Sequence, residues 1–182
     1  MAKRQVFFSF RYLYDVWRAS QVRNMGKVSD DSTFSDNDWE EVKEKTSEKI
    51  EEWINNEMKK RSCVIVLIGE HTQGRKWINY EIMHAWKKGK GIVGIYIHGL
   101  KNAYGNQATK GSNPFEDFCV DEKINYIAHH SKPADDNEIN LSKVIKAYDP
   151  PYKLSENVYG YIKDHIEDWI EEAIEIRNKY PK

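Results

Sequence analysis

Two cysteines in 182 residues cannot build a disulfide framework, and neither Cys63 nor Cys119 stands at the spacing of a metal knuckle. Both are expected to be reduced thiols that pack as small hydrophobes in a cytoplasm. A dominant sign of charge is also missing: 28 basic against 29 acidic side chains leave a formal charge of −1. No overall field then favours a phosphate backbone or an anionic membrane, so neither nucleic acid nor a lipid surface is expected as a partner. The longest apolar run, 63–69, is about seven residues where a membrane span needs roughly 20. The start, Met1-Ala2-Lys3-Arg4, leads straight into a strand-like run without an extended apolar segment, so no signal peptide is expected.

Several chemical motifs are absent or misplaced. No G-x-x-x-x-G-K-[ST] loop exists, which removes the phosphate cradle of kinases and ATPases. Gly89-Lys90-Gly91-Ile92-Val93-Gly94 spells a dinucleotide fingerprint, but it follows a helical pattern and enters a strand, so Gly89 is expected to end a helix. His129-His130 has no cysteine or carboxylate at a recognised ligand offset and is expected to be an exposed loop pair, with no metal. Asn140-Leu141-Ser142 is a glycosylation acceptor only in a secreted chain.

What is present alternates between strand and helix. Residues 5–10 form a β-branched and aromatic run that predicts a buried first strand, followed by a helix carrying Trp17 and Val22. Residues 26–38 are rich in Ser, Asp, Asn and Thr and predict mostly loop, with a short strand around Val28 left open. Trp39, Val42, Ile50, Trp53, Ile54 and Met58 predict a helix over 39–60, with Asp38 and Glu41 spaced like a capping box. The run 63–68 is continuously apolar, as a central strand covered on both faces must be. A helix over 77–88 and a strand over 92–97 repeat the unit. Residues 101–153 read as a loop-rich insertion with an edge-like strand at 124–128, and Ser155 is placed to cap a closing helix over about 155–179. With 40% hydrophobic residues, no internal repeat and no low-complexity tract, 1–182 reads as a single α/β domain. Its sheet is expected to be flavodoxin-like, doubly wound and mainly parallel.

In such a sheet a ligand sits outside the carboxyl ends of the strands, where 9–12, 69–76 and the start of the 77–88 helix converge. Trp77 and Glu81, four residues apart, project from one side of that helix toward the crevice. A carboxylate there can face a sugar. Trp77, Tyr80 and Phe7 either pack in the core or close around a planar base, and Arg11 or Arg75 offers a forked guanidinium to a diphosphate.

These residues carry a resemblance. Val6-Phe7-Phe8-Ser9-Phe10-Arg11 resembles the first-strand pattern V-F-I-S-Y-R of the TIR domain family, and Trp77-Ile78-Asn79-Tyr80-Glu81 resembles its glutamate motif S-x-W-C-x-x-E. With Asp38-Trp39-Glu40 and the later V-L-I-G, R-x-W-x-x-Y-E-I and K-G-x-x-I-x-G-I segments, the chain more specifically resembles the TIR-like proteins of the Thoeris antiphage system, over about residues 3–118. The family's motif serine falls on Arg75 and its cysteine on Ile78. The resemblance implies an enzyme that takes NAD as substrate, cleaves the nicotinamide–ribose bond and makes a cyclic ADP-ribose signal for a separate effector. It implies Glu81 as the catalytic residue, with Phe7, Ser9, Arg11, Tyr12, Trp39, Arg75, Trp77 and Tyr80 around the substrate. No bound cofactor is implied, and self-assembly into a homo-oligomer is compatible with it.

The same fold also serves non-catalytic interaction modules, so a TIR-like module for protein assembly is the rival reading. A phosphorylated receiver would need an acidic pair after the first strand, where Phe10-Arg11-Tyr12 stands. A flavodoxin would need a Ser/Thr-rich phosphate loop there, and 11–15 is not one.

Overall fold

The computed structural model describes residues 2–29 and 44–182. Its main sheet has four parallel strands in the order β1 (Val6–Ser9), β2 (Cys63–Ile68), β3 (Gly91–Tyr96) and β7 (Ala147–Tyr148). Helices α1 (Tyr12–Arg23), α2 (Ser47–Met58), α3 (Lys76–Lys87) and α4 (Ser155–Asn178) connect and cover it. A second, antiparallel sheet of β4 (Cys119–Asp121), β5 (Ile127–Ala128) and β6 (Glu138–Asn140) runs in the order β5-β4-β6.

The strand period of two divides the core. Phe7, Val64, Val66, Ile68 and Ile92 face α2, α3 and the small sheet, packing on Ile54, Met58, Ile82, Trp86 and Val120. Val6, Phe8, Ile65, Leu67, Val93 and Ile95 face the other way, onto Ala19 and Val22 of α1 and Ile162, Ile166 and Ile170 of α4. Helices on both faces make the sheet doubly wound, and burial on both faces explains why β2 has no polar residue to alternate with. The α/β, flavodoxin-like expectation is met.

Gly89 ends α3 as expected. It sits at φ 69°, its N–H bonds the Trp86 carbonyl at 3.0 Å and the Lys90 N–H reaches Ala85 at 3.0 Å, the paired bonds of a Schellman motif. Arg177, fully buried on α4, donates from Nε and Nη2 to the same Trp86 carbonyl and lies over its ring, fastening α4 to the end of α3.

Other expectations are corrected. The helix read over 39–60 begins at Ser47: residues 44–46 are not helical, and the Thr46 hydroxyl accepts the Lys49 N–H as the cap. No apolar residue stands at 45 or 46 to carry the helical stripe from Val42 to Ile50, which leaves Thr46 free to cap. Trp39 and the Asp38/Glu41 spacing lie outside the described residues. Trp17 points to solvent at 56% exposure, and α1 packs through Ala19 and Val22. Val28 is buried but in a bend; the neighbouring Ser29 N–H bonds the Arg4 carbonyl, without a strand. Ser155 is the first helical residue of α4, the cap being Leu154, whose carbonyl accepts from Asn157 and Val158.

The insertion holds more order than its composition suggests. The strand expected at 124–128 shrinks to Ile127–Ala128 and edges the antiparallel sheet, while the fourth strand of the main sheet is Ala147–Tyr148. Two residues carry no readable period; Tyr148 is fixed by tertiary packing, stacked on Trp169 with ring centres 4.3 Å apart. His129 and His130 lie in the loop after β5 as expected: His129 is exposed and stacked on Phe118 at 5.0 Å, while His130 is half-buried and bonds Glu138 at 2.7 Å.

Candidate functional site

At the carboxyl end of β1 the strand period turns Ser9 to the same face as Phe7, under α3. On α3 the buried positions are Ile78, Glu81, Ile82, Ala85 and Trp86, the spacing of one helix face, so Glu81 occupies a core position among apolar neighbours. It is 4% exposed, and the Ser9 hydroxyl donates to its Oε2. Burial pushes the Glu81 carboxyl up to about 8, with the Ser9 hydrogen bond pulling the other way. At neutral pH this side chain is a carboxylic acid held against the carboxyl end of β1.

The other expected residues gather unevenly. Phe7 is buried in the same core layer, and Trp77 and Tyr80 are half-buried against it. Their rings meet edge to face at 5.9 Å. Tyr80 turns toward α2, its hydroxyl donating to Asn55 at 2.8 Å and its ring stacking on His84. Arg75 caps α3 without a side-chain cap bond; it is exposed and reaches the His71 carbonyl at 3.3 Å. Lys76 follows it, with Nζ on Ser47 and 4.6 Å over the Trp77 ring. The first turn of α3 holds no acid, so two cations stand at the helix end that ordinarily favours negative charge. Arg11 caps α1 and lies over the Tyr14 ring at 5.3 Å; Tyr12 stacks on Phe10.

A second buried carboxyl lies on the opposite face. Asp15 and Arg18 occupy core positions of α1 with Ala19 and Val22, and Arg18 Nη1 meets Asp15 Oδ1 at 3.3 Å. Burial raises the Asp15 carboxyl, while Arg18 and, more weakly, His71 and Arg11 pull it back toward ionisation. Arg18 also donates to the Leu100 carbonyl at 2.9 Å and the Asn106 carbonyl at 3.0 Å, tying down the loop beyond β3. Gly69 at the end of β2 makes room: a Cβ there would lie 2.2 Å from Asp15 Oδ2. Gly111 then closes on Gly69, where a Cβ would lie 2.1 Å from its carbonyl oxygen. A cavity of about 210 Å³ remains here, lined by Asp15, Arg18, His71, Asn102 and Gln107.

Sequence reasoning passed over Asp15 and Arg18, yet a signal was present. Charged residues at 15 and 18 fall on the stripe shared with 19 and 22, where a helix places its core. No such signal foretold Gly111 over Gly69, which depends on where the insertion returns. A larger groove of about 590 Å³ between α2 and α3 is lined by Glu48, Glu51, Asn55, His84 and Lys88, but it opens on the flank rather than at the strand ends. Among the described residues no helix is long and apolar enough to cross a membrane.

A protein of Bacillus cereus (strain MSX-D12) named "Putative cyclic ADP-D-ribose synthase ThsB1" is 41% identical over 122 residues. The match covers 64% of this chain and 62% of that protein, so the chain spans less than two thirds of its relative's length. Residues 7–102 match the family described as "Thoeris protein ThsB, TIR-like domain". That stretch runs from β1 to just beyond β3 and carries Ser9 and Glu81, while the small sheet and α4 lie outside it. Matched over more than half its length, and built on the parallel sheet that such a domain requires, the chain belongs to the Thoeris ThsB TIR-like family.

Proposed function

We propose that the chain is an NAD-consuming enzyme of antiphage defence, which cleaves the nicotinamide–ribose bond and closes the ADP-ribose portion into a cyclic signal. Glu81 is its catalytic carboxylate. The observation that carries this reading is the Glu81 carboxyl itself, held on Ser9 at a helix position that packing alone would give to an apolar residue. Burying an ionisable group there costs several kcal/mol in general, and groups kept in place against that opposition concentrate at functional sites. The activity in the Bacillus cereus relative's name supports the reaction class.

The chemistry fits a carboxylate. As the bond from ribose C1′ to the pyridinium nitrogen breaks, its electron pair leaves with nicotinamide, a neutral base that needs no proton. Positive charge develops at C1′ and the ring oxygen, where an anionic Glu81 stabilises it and accepts a ribose hydroxyl. Attack on C1′ by a nucleophile of the same molecule, an adenine nitrogen or a hydroxyl of the other ribose, closes the ring as that group gives up its proton; attack by water gives linear ADP-ribose instead. Excluding water from the crevice favours closure. Arg75 and Lys76 at the start of α3 suit the diphosphate, Trp77 and Phe7 suit the planar rings, and Tyr80, Arg11 and Tyr12 complete the described surroundings. In the form described here Glu81 is closed over and neutral, so turnover requires the packing to open and the acid to lose its proton. An enzyme that waits for a trigger or for self-assembly behaves in this way. The diffusible product then acts on a separate effector, within a cytoplasm that supplies NAD.

A non-catalytic TIR-like module is the second reading, favoured by the exposure of Leu13, Tyr14 and Trp17 on α1, an apolar surface suited to assembly. Incubating the purified chain with NAD, alone and with infected-cell extract, separates the two. The enzymatic reading expects nicotinamide release and a cyclic product, both about 1,000-fold lower for Glu81→Ala, the scale of losing a group that stabilises transition-state charge. No turnover in either condition, or equal turnover by the variant, leaves the module.

A further inference from the structure

The small antiparallel sheet takes no part in the crevice, yet it assembles a set of ligating side chains. Cys119 pairs with Asn140 and Asp121 with Glu138, so alternation puts Cys119 and Glu138 on one face, while Val120 and Ile139 turn to the other, toward the core. The loop between β5 and β6 brings His130 onto the same face. Sulfur, imidazole nitrogen and carboxylate oxygen all lie within 4.8 Å of one another. We propose that Cys119, His130 and Glu138 bind a divalent transition-metal ion, with zinc as the best fit.

The surroundings hold these groups in place. Glu138 Oε2 accepts the Ala134 N–H at 2.8 Å as well as bonding His130 Nε2 at 2.7 Å. Asn140 donates to the Ser131 and Glu116 carbonyls, each at 2.9 Å, pinning the loop beside His130. Outer bonds of this kind orient metal ligands. Cys119 is fully buried and the Glu138 side chain is 6% exposed, while that of His130 is 37% exposed, so an ion reaches the group from the His130 side.

Ligand chemistry selects the metal. Calcium and magnesium take oxygen ligands, whereas a thiolate, an imidazole and a carboxylate together suit zinc, at roughly 2.0–2.3 Å from each. Three protein ligands leave a fourth position for water. Binding expels the Cys119 thiol proton and replaces the His130–Glu138 hydrogen bond with two bonds to the ion. The ion then clips β4, the intervening loop and β6 together, on ligands that share no residue with the Ser9–Glu81 pair. Sequence spacing gave no hint of this, since the ligands come from two strands and a loop and meet only in the antiparallel register.

Metal analysis of the full chain purified without chelator, followed by cobalt substitution, tests the proposal. The expected result is stoichiometric zinc and, after exchange, a cobalt spectrum with a thiolate charge-transfer band, together with a lower melting temperature in chelator. Cys119→Ser abolishes the band. His130→Ala, at the half-exposed position and so least harmful to folding, weakens zinc binding by more than the roughly 10- to 100-fold that an outer-shell loss produces. His129→Ala binds as wild type does. Absence of zinc with no shift in melting temperature on adding it, or unchanged binding in Cys119→Ser and His130→Ala, overturns the assignment. Neither result bears on NAD cleavage.

Discussion

Among the described residues the two faces of the sheet each bury one acid at the carboxyl ends of the strands, and they treat it differently. On the α1 face Asp15 meets the guanidinium of Arg18, which is itself anchored on backbone carbonyls of the loop beyond β3. On the α3 face the partner of Glu81 among the described residues is the hydroxyl of Ser9. Burial raises both carboxyls, but among the described residues Asp15 has a cation to pull it back and Glu81 does not. A paired acid is part of the architecture, since its partner holds a loop. An acid with a neutral partner has no such architectural task, and the proposed function gives it a catalytic one. The two acids differ in partner rather than in depth.

The largest test of that contrast is Arg18→Ala, which strips Asp15 of its cation and frees the Leu100 and Asn106 carbonyls. Breaking a buried pair from one side destabilises by about 3–5 kcal/mol, measurable by urea unfolding. A loss under about 1 kcal/mol, the scale of an exposed pair, dissolves the contrast. Glu81→Gln should act in the opposite direction. A carboxyl raised from 4.5 in the unfolded chain to about 8 in the folded one binds its proton more tightly when folded. Its contribution to stability is therefore full below about 4.5 and is lost as pH rises to about 8. Glu81→Gln removes this dependence and leaves the protein more stable than wild type at pH above about 8, by an amount on the order of a few kcal/mol. Parallel stability–pH curves for the two proteins between pH 5 and 8 rule out a neutral Glu81.

Gly111→Ala probes the Asp15 side without touching a charge. A Cβ 2.1 Å from the Gly69 carbonyl oxygen forces the loop off the strand ends, at about 1–3 kcal/mol. Protection of the 102–108 amides from hydrogen exchange should fall while that of β1 is kept. Ser9→Ala is the mildest change. It removes the bond that lowers the Glu81 carboxyl, so the rise of NAD cleavage with pH moves to higher pH while the maximal rate well above that rise is largely retained. An unmoved pH profile separates Ser9 from the titration of Glu81.

The legible parts of the fold were those where one period or one cap decides the outcome. β2 follows from an unbroken apolar run, and α3 and its Schellman end from a helical stripe closed by Gly89; Glu81 was singled out by its resemblance to a family motif four residues after Trp77, with no sign of its burial. Misreadings came where a short element borrows its stability from elsewhere. Ala147–Tyr148 is a strand because β3 and Trp169 hold it, and α2 starts at Ser47 because Thr46 found a donor to cap. Asp15 and Arg18 were readable on the core stripe of α1 but look like ordinary surface charges until that stripe is drawn.

The sequence by itself determined the α/β layering and the family, and it singled out the glutamate of the proposed site, because hydrophobic period and local motif survive without knowledge of distant contacts. Tertiary structure alone decided that Glu81 is a neutral acid on Ser9, that Asp15 is paired, and that Cys119, His130 and Glu138 meet. Partner identity and burial set the charge of an acid and the ligands of a metal, and both are properties of residues brought together from far apart in the chain.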